Sequence, residues 1–214
     1  MCEEAYDGSI GGKCRLGTVV TGNLWKLGSI MYEPTIRYYR ALDMAITAHN
    51  KQKRFGFGNY VCHPVEVANT LIYMGVEYED LIIAALLHDV IEDASHLFNM
   101  NDILSKFGTN VCRLVASATD DIRLNRQQQK NAQVEAILHK KVDELILKLA
   151  DRYCNVMGVV GKKSVSIEYT DHTEAILKNV VKRDDAPNEP LLEYVVELYG
   201  RINERVSQLK VGVV

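Results

Sequence analysis

Residues 81 to 93 read Leu-Ile-Ile-Ala-Ala-Leu-Leu-His-Asp-Val-Ile-Glu-Asp. Seven apolar residues run without Gly or Pro into His88 and Asp89, and Glu92 and Asp93 follow. So dense a run has to be buried, and the lack of breakers favours a helix over a strand. On one helix from about Glu79 to Asp93, His88 shares a face with Glu92, and Asp89 with Asp93. Three carboxylates within five positions at the end of a core helix repel one another, and burying them is costly without compensation. A divalent metal is one such compensation, since adjacent oxygen and nitrogen donors suit first-row cations. The alternative is an acidic helix end that emerges into solvent. This stretch alone does not choose between them.

The rest of the chain narrows the choice. Its 214 residues suit one main domain, and 47% hydrophobic content is enough for a sizeable core. A net charge of −3 excludes a global pull toward nucleic acid or an anionic membrane. No stretch reaches the roughly 18 consecutive apolar residues of a membrane span. No apolar core follows a basic start, so no secretory signal is expected. The cysteines, Cys2, Cys14, Cys62, Cys112 and Cys154, are odd in number and have no metal-knuckle or redox spacing. Free thiols in the reduced cytoplasm are the expectation.

Four prolines and long periodic segments predict an all-α fold, a helical bundle. Residues 1–33 hold six of the fourteen glycines and predict a loosely structured arm, with the domain proper over 34–210. Helices are expected from Thr35 to about Asn50 and from His63 to about Met74, the latter opened by Pro64 and stopped by Gly75. A basic, glycine-containing loop, Lys51 to Asn59, lies between them. Further helices are expected near 102–107 (capped by Asn101-Asp102), 110–118, 126–139, 141–156, 168–183 and 189–209.

Two more positions bear on the metal. His63 precedes a helix-opening proline, where a side chain can point into a cleft or simply cap and pack. Asp151 follows the apolar stripe Leu145 to Ala150, so it is either drawn inward or a charge at a helix end, where it opposes the macrodipole. Together His63, His88, Asp89 and Asp151 supply two imidazoles and two carboxylates, a four-ligand set for an octahedral metal with two open positions. Ligation without sulfur suits Mn²⁺, Fe²⁺ or Mg²⁺ at least as well as Zn²⁺. Cys62 and Cys154 are read as core thiols.

His63, then His88-Asp89, then Asp151 resembles the pattern of the HD superfamily of metal-dependent phosphohydrolases. His88-Asp-Val-Ile-Glu-Asp93 resembles the His-Asp-x-x-Glu-Asp motif of the RelA/SpoT-type alarmone hydrolases. Ala48-His49 through Arg54, and Tyr60-Val-Cys-His-Pro-Val-Glu-Val-Ala68, are similar to that family's opening block. Phe107-Gly108, Val111 to Thr119 and Lys148-Leu-Ala-Asp-Arg-Tyr-Cys-Asn155 are similar to its later blocks, so the likeness covers roughly 36–156.

The resemblance implies an all-α hydrolase that removes the 3′-pyrophosphate of guanosine tetra- and pentaphosphate, using one Mn²⁺ ion or another divalent metal. It implies His63, His88, Asp89 and Asp151 as metal ligands and Glu92 and Asp93 as catalytic acids acting on water. Arg54 matches a residue that stacks on guanine, Asn155 a nucleotide contact and Tyr60 an aromatic of the same block. Lys148, Arg152, Arg123 and Arg126 are candidates to offset the substrate's charge. The partner is thus a small-molecule nucleotide, with neither nucleic acid nor membrane expected. Three departures stand out. Phe55 replaces the family's Lys, Gly56-Phe-Gly-Asn59 replaces a Ser-Gly-Glu-Pro-like turn, and Tyr153-Cys154 replaces Leu-His. These leave open an HD phosphohydrolase acting on another nucleotide phosphate, such as a nucleoside monophosphate or an NADPH-like dinucleotide. A non-catalytic sensing module is the rival from another class.

Overall fold

The apolar run becomes α3 (Glu79–Leu87), and every residue from Leu81 to Leu87 is fully buried. A helix that is apolar all round needs partners all round. Four surround it: α1 (Ile36–His49), α2 (Cys62–Tyr73), α6 (Thr109–Ala118) and α8 (Val142–Met157). Each large side chain buried there contributes roughly 1.5–3 kcal/mol through removal from water. The computed structural model describes residues 32–54, 58–158, 167–185 and 191–211, without the side chains of Arg54 and Ile167. The expected arm falls, but for Tyr32 and Glu33, outside the described residues.

The remaining elements are α4 (Val90–Asp93), α5 (Met100–Phe107), α7 (Arg126–Ala136), α9 (Ile167–Val181) and α10 (Leu192–Lys210). The chain is all-α as expected. The one strand pairing among the described residues lies in the basic loop, where Lys53–Arg54 (β1) pairs antiparallel with Gly58–Asn59 (β2). α10 packs on α8 and α9, and α9 in turn packs on α7.

Local chemistry sets the ends. Thr35 caps α1 through its hydroxyl, which accepts from the Arg37 amide at 3.1 Å. Asn99, rather than the expected Asn101-Asp102, caps α5: Asn99 accepts from the Asn101 amide at 2.9 Å while Asp102 accepts from the Asn99 amide at 2.8 Å. Asn125 and Gln128 make the same reciprocal box at the start of α7.

The single helix expected over 79–93 does not form. α3 ends at Leu87, His88 and Asp89 make a turn, and α4 follows. The Asp93 amide still reaches the Asp89 carbonyl at 3.0 Å, so the chain continues in nearly the same direction. Asp89 sits near φ −96°, ψ −7°, in the bridge region where functional side chains are often held. Of the two readings of Asp151 the structure takes the first: it lies inside α8, six residues before its end, and is drawn inward.

Candidate active site

The turn at the end of α3 is where four elements meet. α2 brings His63 at its N-terminus, α8 brings Asp151 and Asn155, and Tyr60 comes from the segment just after β2. His63 and His88 are buried, at 2% and 3% exposure. His63 Nε2 lies 3.1 Å from Asp151 Oδ1 and 3.8 Å from Asp89 Oδ2. His88 Nε2 lies 3.2 Å from Asp89 Oδ1 and 3.8 Å from Asp151 Oδ1. Donor atoms of His63, His88 and Asp151 all fall within 4.8 Å of one another. Thus the structure brings together residues 88 positions apart in the chain.

The protons can be placed. His88 Nδ1 is 2.8 Å from the Ala85 carbonyl, which only accepts, so Nδ1 carries hydrogen. In the neutral ring Nε2 then turns its lone pair toward two carboxylates, buried and without a hydrogen-bond partner. Lone pair against carboxylate is repulsive unless a cation, either a proton or a metal ion, stands between them. The donor set therefore fits a divalent metal, with an outer hydrogen bond fixing the ring as ligating histidines require. The same field acts on His88 itself. Burial pushes its pKa down, but Asp89, Asp151 and the Ala85 carbonyl outweigh burial and hold it up at about 9. Burial pushes both aspartates up, and the neighbouring imidazoles, with Lys148 at Asp151, more than reverse this and hold them below the usual carboxylate range.

Supporting groups orient these donors. The Tyr60 hydroxyl donates to Asp89 Oδ2 at 2.7 Å, and burial and that carboxylate push its pKa well up, so it stays a donor. Asn155, one helical turn past Asp151, donates Nδ2 to Asp151 Oδ1 at 2.6 Å. Lys148 Nζ stands 3.7 Å from Asp151 Oδ2.

Glu92 and Asp93 part company. Glu92 borders the cavity and accepts a hydrogen bond from the Asp120 amide, in the linker between α6 and α7. Burial of its carboxyl, with Asp120 and Asp89 nearby, lifts its pKa to about 7, against the pull of that amide. Asp93 lies off the cavity wall and accepts from Gln52 Nε2 at 3.0 Å.

The cavity measures about 320 Å³, the scale of a small-molecule site. Arg126, Lys130, Arg152, Tyr169 and His172, from α7, α8 and α9, also line it. Arg152 is 5% exposed and lies over the Tyr169 ring at 4.8 Å. His172 Nε2 faces the Lys130 carbonyl at 3.2 Å. Burial, then the Arg152 charge, push His172 down to about 4. One cavity thus gathers donors for a cation, the side chains of Arg126, Lys130, Lys148 and Arg152, and an acid of pKa about 7. That suits binding a polyanionic phosphate ester and moving a proton near it.

Of the residues singled out from sequence, Tyr60, His63, His88, Asp89, Glu92, Arg126, Lys148, Asp151, Arg152 and Asn155 line this cavity. Arg123 does not: it is 85% exposed and pairs with Asp121 at 2.6 Å. Its place in a two-residue turn leaves it nearer its own neighbour than the cleft. The Arg54 side chain and residues 55–57 lie outside the described residues. Lys130, Tyr169 and His172 went unnoticed, because α7 and α9 carry no motif and join the site only through packing.

A sequence-family model described as HD domain matches residues 41–183. The chain is 33% identical over 126 residues to the guanosine-3′,5′-bis(diphosphate) 3′-pyrophosphohydrolase MESH1 of Drosophila melanogaster, covering 58% of this chain and 69% of that one. It is 34% identical over 119 residues to the human protein of that name, covering 54% and 65%. The Aquifex aeolicus guanosine-3′,5′-bis(diphosphate) 3′-pyrophosphohydrolase is 37% identical over 121 residues, 55% of this chain and only 17% of that one. A solved structure described as a metazoan ortholog of SpoT that hydrolyzes ppGpp superposes with a TM-score of 0.70 at 25% identity, over 86% of this chain and all of that one. A Listeria monocytogenes crystal structure follows at TM-score 0.52 and 27% identity, over 66% and 99%.

Proposed function

This chain belongs to the HD domain family, and on that premise we propose that residues 34–210 form a metal-dependent hydrolase of guanosine tetra- and pentaphosphate. The products are GDP or GTP and pyrophosphate. The relatives named for this 3′-pyrophosphohydrolase reaction support the substrate class. The observation that carries the chemistry is the buried, partnerless Nε2 of His88 facing Asp89 and Asp151 beside His63.

His63, His88, Asp89 and Asp151 would hold one divalent ion; nitrogen and oxygen donors without sulfur admit Mn²⁺, Fe²⁺ or Mg²⁺ as readily as Zn²⁺, and the resemblance to the alarmone hydrolases points to Mn²⁺. The bound ion supplies Lewis acidity toward the phosphoryl group and the attacking water. The protein's own groups do the rest. Tyr60 and Asn155 keep the two aspartates in register. Lys148 and the wall of Arg126, Lys130 and Arg152 offset the substrate's charge. Glu92, with Asp93 beside it, takes the proton from water as its oxygen bonds to the phosphorus next to the ribose. The bond from that phosphorus to the 3′ oxygen breaks, and this oxygen leaves with a proton returned by the same acids. By its resemblance to the alarmone hydrolases, Arg54 is assigned to the guanine end. Among the described residues Cys62, Cys112 and Cys154 form no disulfide, and we read the setting as a reduced, cytoplasmic one. Among the described residues no helix is long and apolar enough to cross a membrane.

Product analysis tests the reading. Purified protein with guanosine tetraphosphate and Mn²⁺ should release GDP and pyrophosphate, and a chelator should stop it. No release, with metal bound stoichiometrically, would move the function to another nucleotide phosphate or to sensing.

A further inference from the structure

A third buried histidine stands behind the site, and none of the chemistry above uses it. His49 ends α1 and is 0% exposed. Its Nδ1 lies 2.7 Å from Gln52 Oε1, and Gln52 Nε2 lies 3.0 Å from Asp93 Oδ2. The order of this chain is settled by its acidic end. A carboxylate only accepts, so the Gln52 amide must turn its nitrogen toward Asp93 and its oxygen toward His49. The oxygen accepts in turn, so His49 Nδ1 carries hydrogen. Both bonds therefore run one way, from a buried ring through an amide to one oxygen of Asp93.

The ring has little freedom to do otherwise. It packs on Tyr60 with centroids 5.0 Å apart, and Tyr60 is the residue that donates to Asp89. The segment from His49 to Tyr60 thus holds two carboxylates of the same turn: Asp89 through a phenol, Asp93 through an amide. β1 and β2 lie between these residues, and the Tyr60 amide returns to the Gln52 carbonyl at 3.0 Å, closing the ribbon onto itself. With Oδ2 engaged, Asp93 Oδ1 has no hydrogen-bond donor among the described residues. A carboxylate free to rotate samples many orientations, whereas one pinned at Oδ2 keeps Oδ1 as its acceptor. Glu92, its neighbour, is pinned separately by the Asp120 amide.

We propose that His49 and Gln52 are positioning residues that hold the Asp93 carboxylate for proton transfer in hydrolysis. Neither touches the reacting atoms. The inference rests on the function proposed above and on the part given there to Asp93.

The test is a double-mutant cycle on Gln52 and Asp93, read with guanosine tetraphosphate and Mn²⁺ and beside an NMR spectrum that needs no turnover. Gln52→Leu should lower kcat roughly 10–100-fold with KM and Mn²⁺ affinity unchanged. His49→Ala should do the same, and Gln52→Asn should recover part of the loss. In an Asp93→Asn background, Gln52→Leu should cost nothing further. Additive losses, or a fall in metal affinity matching the fall in kcat, would reduce the pair to a packing role and overturn the inference. Full activity of Asp93→Asn alone would instead overturn the reading of Asp93 on which the pair depends. The spectrum reads the hydrogen-bond chain directly. The His49 imidazole proton should exchange slowly, and Asp93→Asn and Gln52→Leu should each displace its resonance. A proton absent from the wild type, or unmoved by Asp93→Asn, would also overturn the inference, even for a protein inert toward this nucleotide.

Discussion

At Glu92 a single carboxyl group is asked to do two things, border a cavity and change protonation near neutrality. Burial holds its pKa at about 7, so it is half deprotonated at the pH where a general base is most useful. A base must be deprotonated to work. The rate should therefore rise with pH through about 7 and level off above it, losing about tenfold per unit below. Glu92→Gln should lower kcat by about 100-fold or more and flatten that rise, while leaving Mn²⁺ bound. A pH–rate profile from 5.5 to 9 on both proteins checks this, and an unchanged profile in the variant would remove Glu92 from the proton path. At this scale the sequence was informative about which residues line the cavity. His88, Asp89 and Glu92 stand beside one another in the chain, and the apolar run before them announces their burial. It was silent on how Glu92 and Asp93 differ, because adjacent residues on a helical turn point to different surroundings. One meets the Asp120 amide and the other meets Gln52.

The joints between elements decide where those residues end up. Gly108 joins α5 to α6 with φ +87° and ψ 178°, a combination essentially closed to residues with a Cβ. No atom lies within 4 Å of where a Cβ would stand, so the cost of Gly108→Ala is backbone strain rather than a clash. That substitution should destabilise the protein by about 1–3 kcal/mol. Gly200 has the same open surroundings but sits exposed inside α10. Gly200→Ala should stabilise by about 0.5–1 kcal/mol. Urea denaturation of the two variants should thus move in opposite directions from the wild type. Periodicity located these helices to within a few residues. It extended α3 across His88-Asp89, because pattern cannot see a turn that keeps the hydrogen bond from Asp93 to Asp89. The Asn99 cap was missed for a related reason: Asn101 and Asn99 carry the same side chain, and only the backbone at Asn99 is extended.

In the whole molecule, α7 and α9 complete a cavity whose cations, Arg126, Lys130, Lys148 and Arg152, come from α7 and α8. His172 reports on that closure. Its folded pKa is depressed to about 4, chiefly by burial and then by the Arg152 charge, against 6.5 when exposed. Below 6.5 the unfolded chain binds a proton that the folded one refuses. The associated stability is therefore present above 6.5 and lost as pH falls toward 4. Discounted for partial exposure, the loss is on the order of 1–2 kcal/mol. Thermal or urea unfolding between pH 4 and 7 should be less pH-dependent in His172→Asn than in the wild type, and equal slopes would contradict the account.

What the amino-acid sequence determined by itself was the class of fold and most of the side chains that line the cavity. Burial of an unbroken apolar run is forced by the hydrophobic effect, and it carries the adjacent His88, Asp89 and Glu92 with it wherever the helix goes. Motif spacing then named His63, Asp151 and Asn155 as their companions. Only the tertiary structure decided which atoms face which. The distances from His63 and His88 to Asp151, the proton left on His88 Nδ1 by the Ala85 carbonyl, and the arrival of Lys130 and His172 all depend on how helices far apart in sequence pack. Such contacts leave no local pattern, because they cross between segments whose own residues are chosen for their own burial and caps. The link from His49 through Gln52 to Asp93 is of the same kind. Its members lie on α1, the loop after it and α4, and they meet because α1 packs against the end of the buried helix.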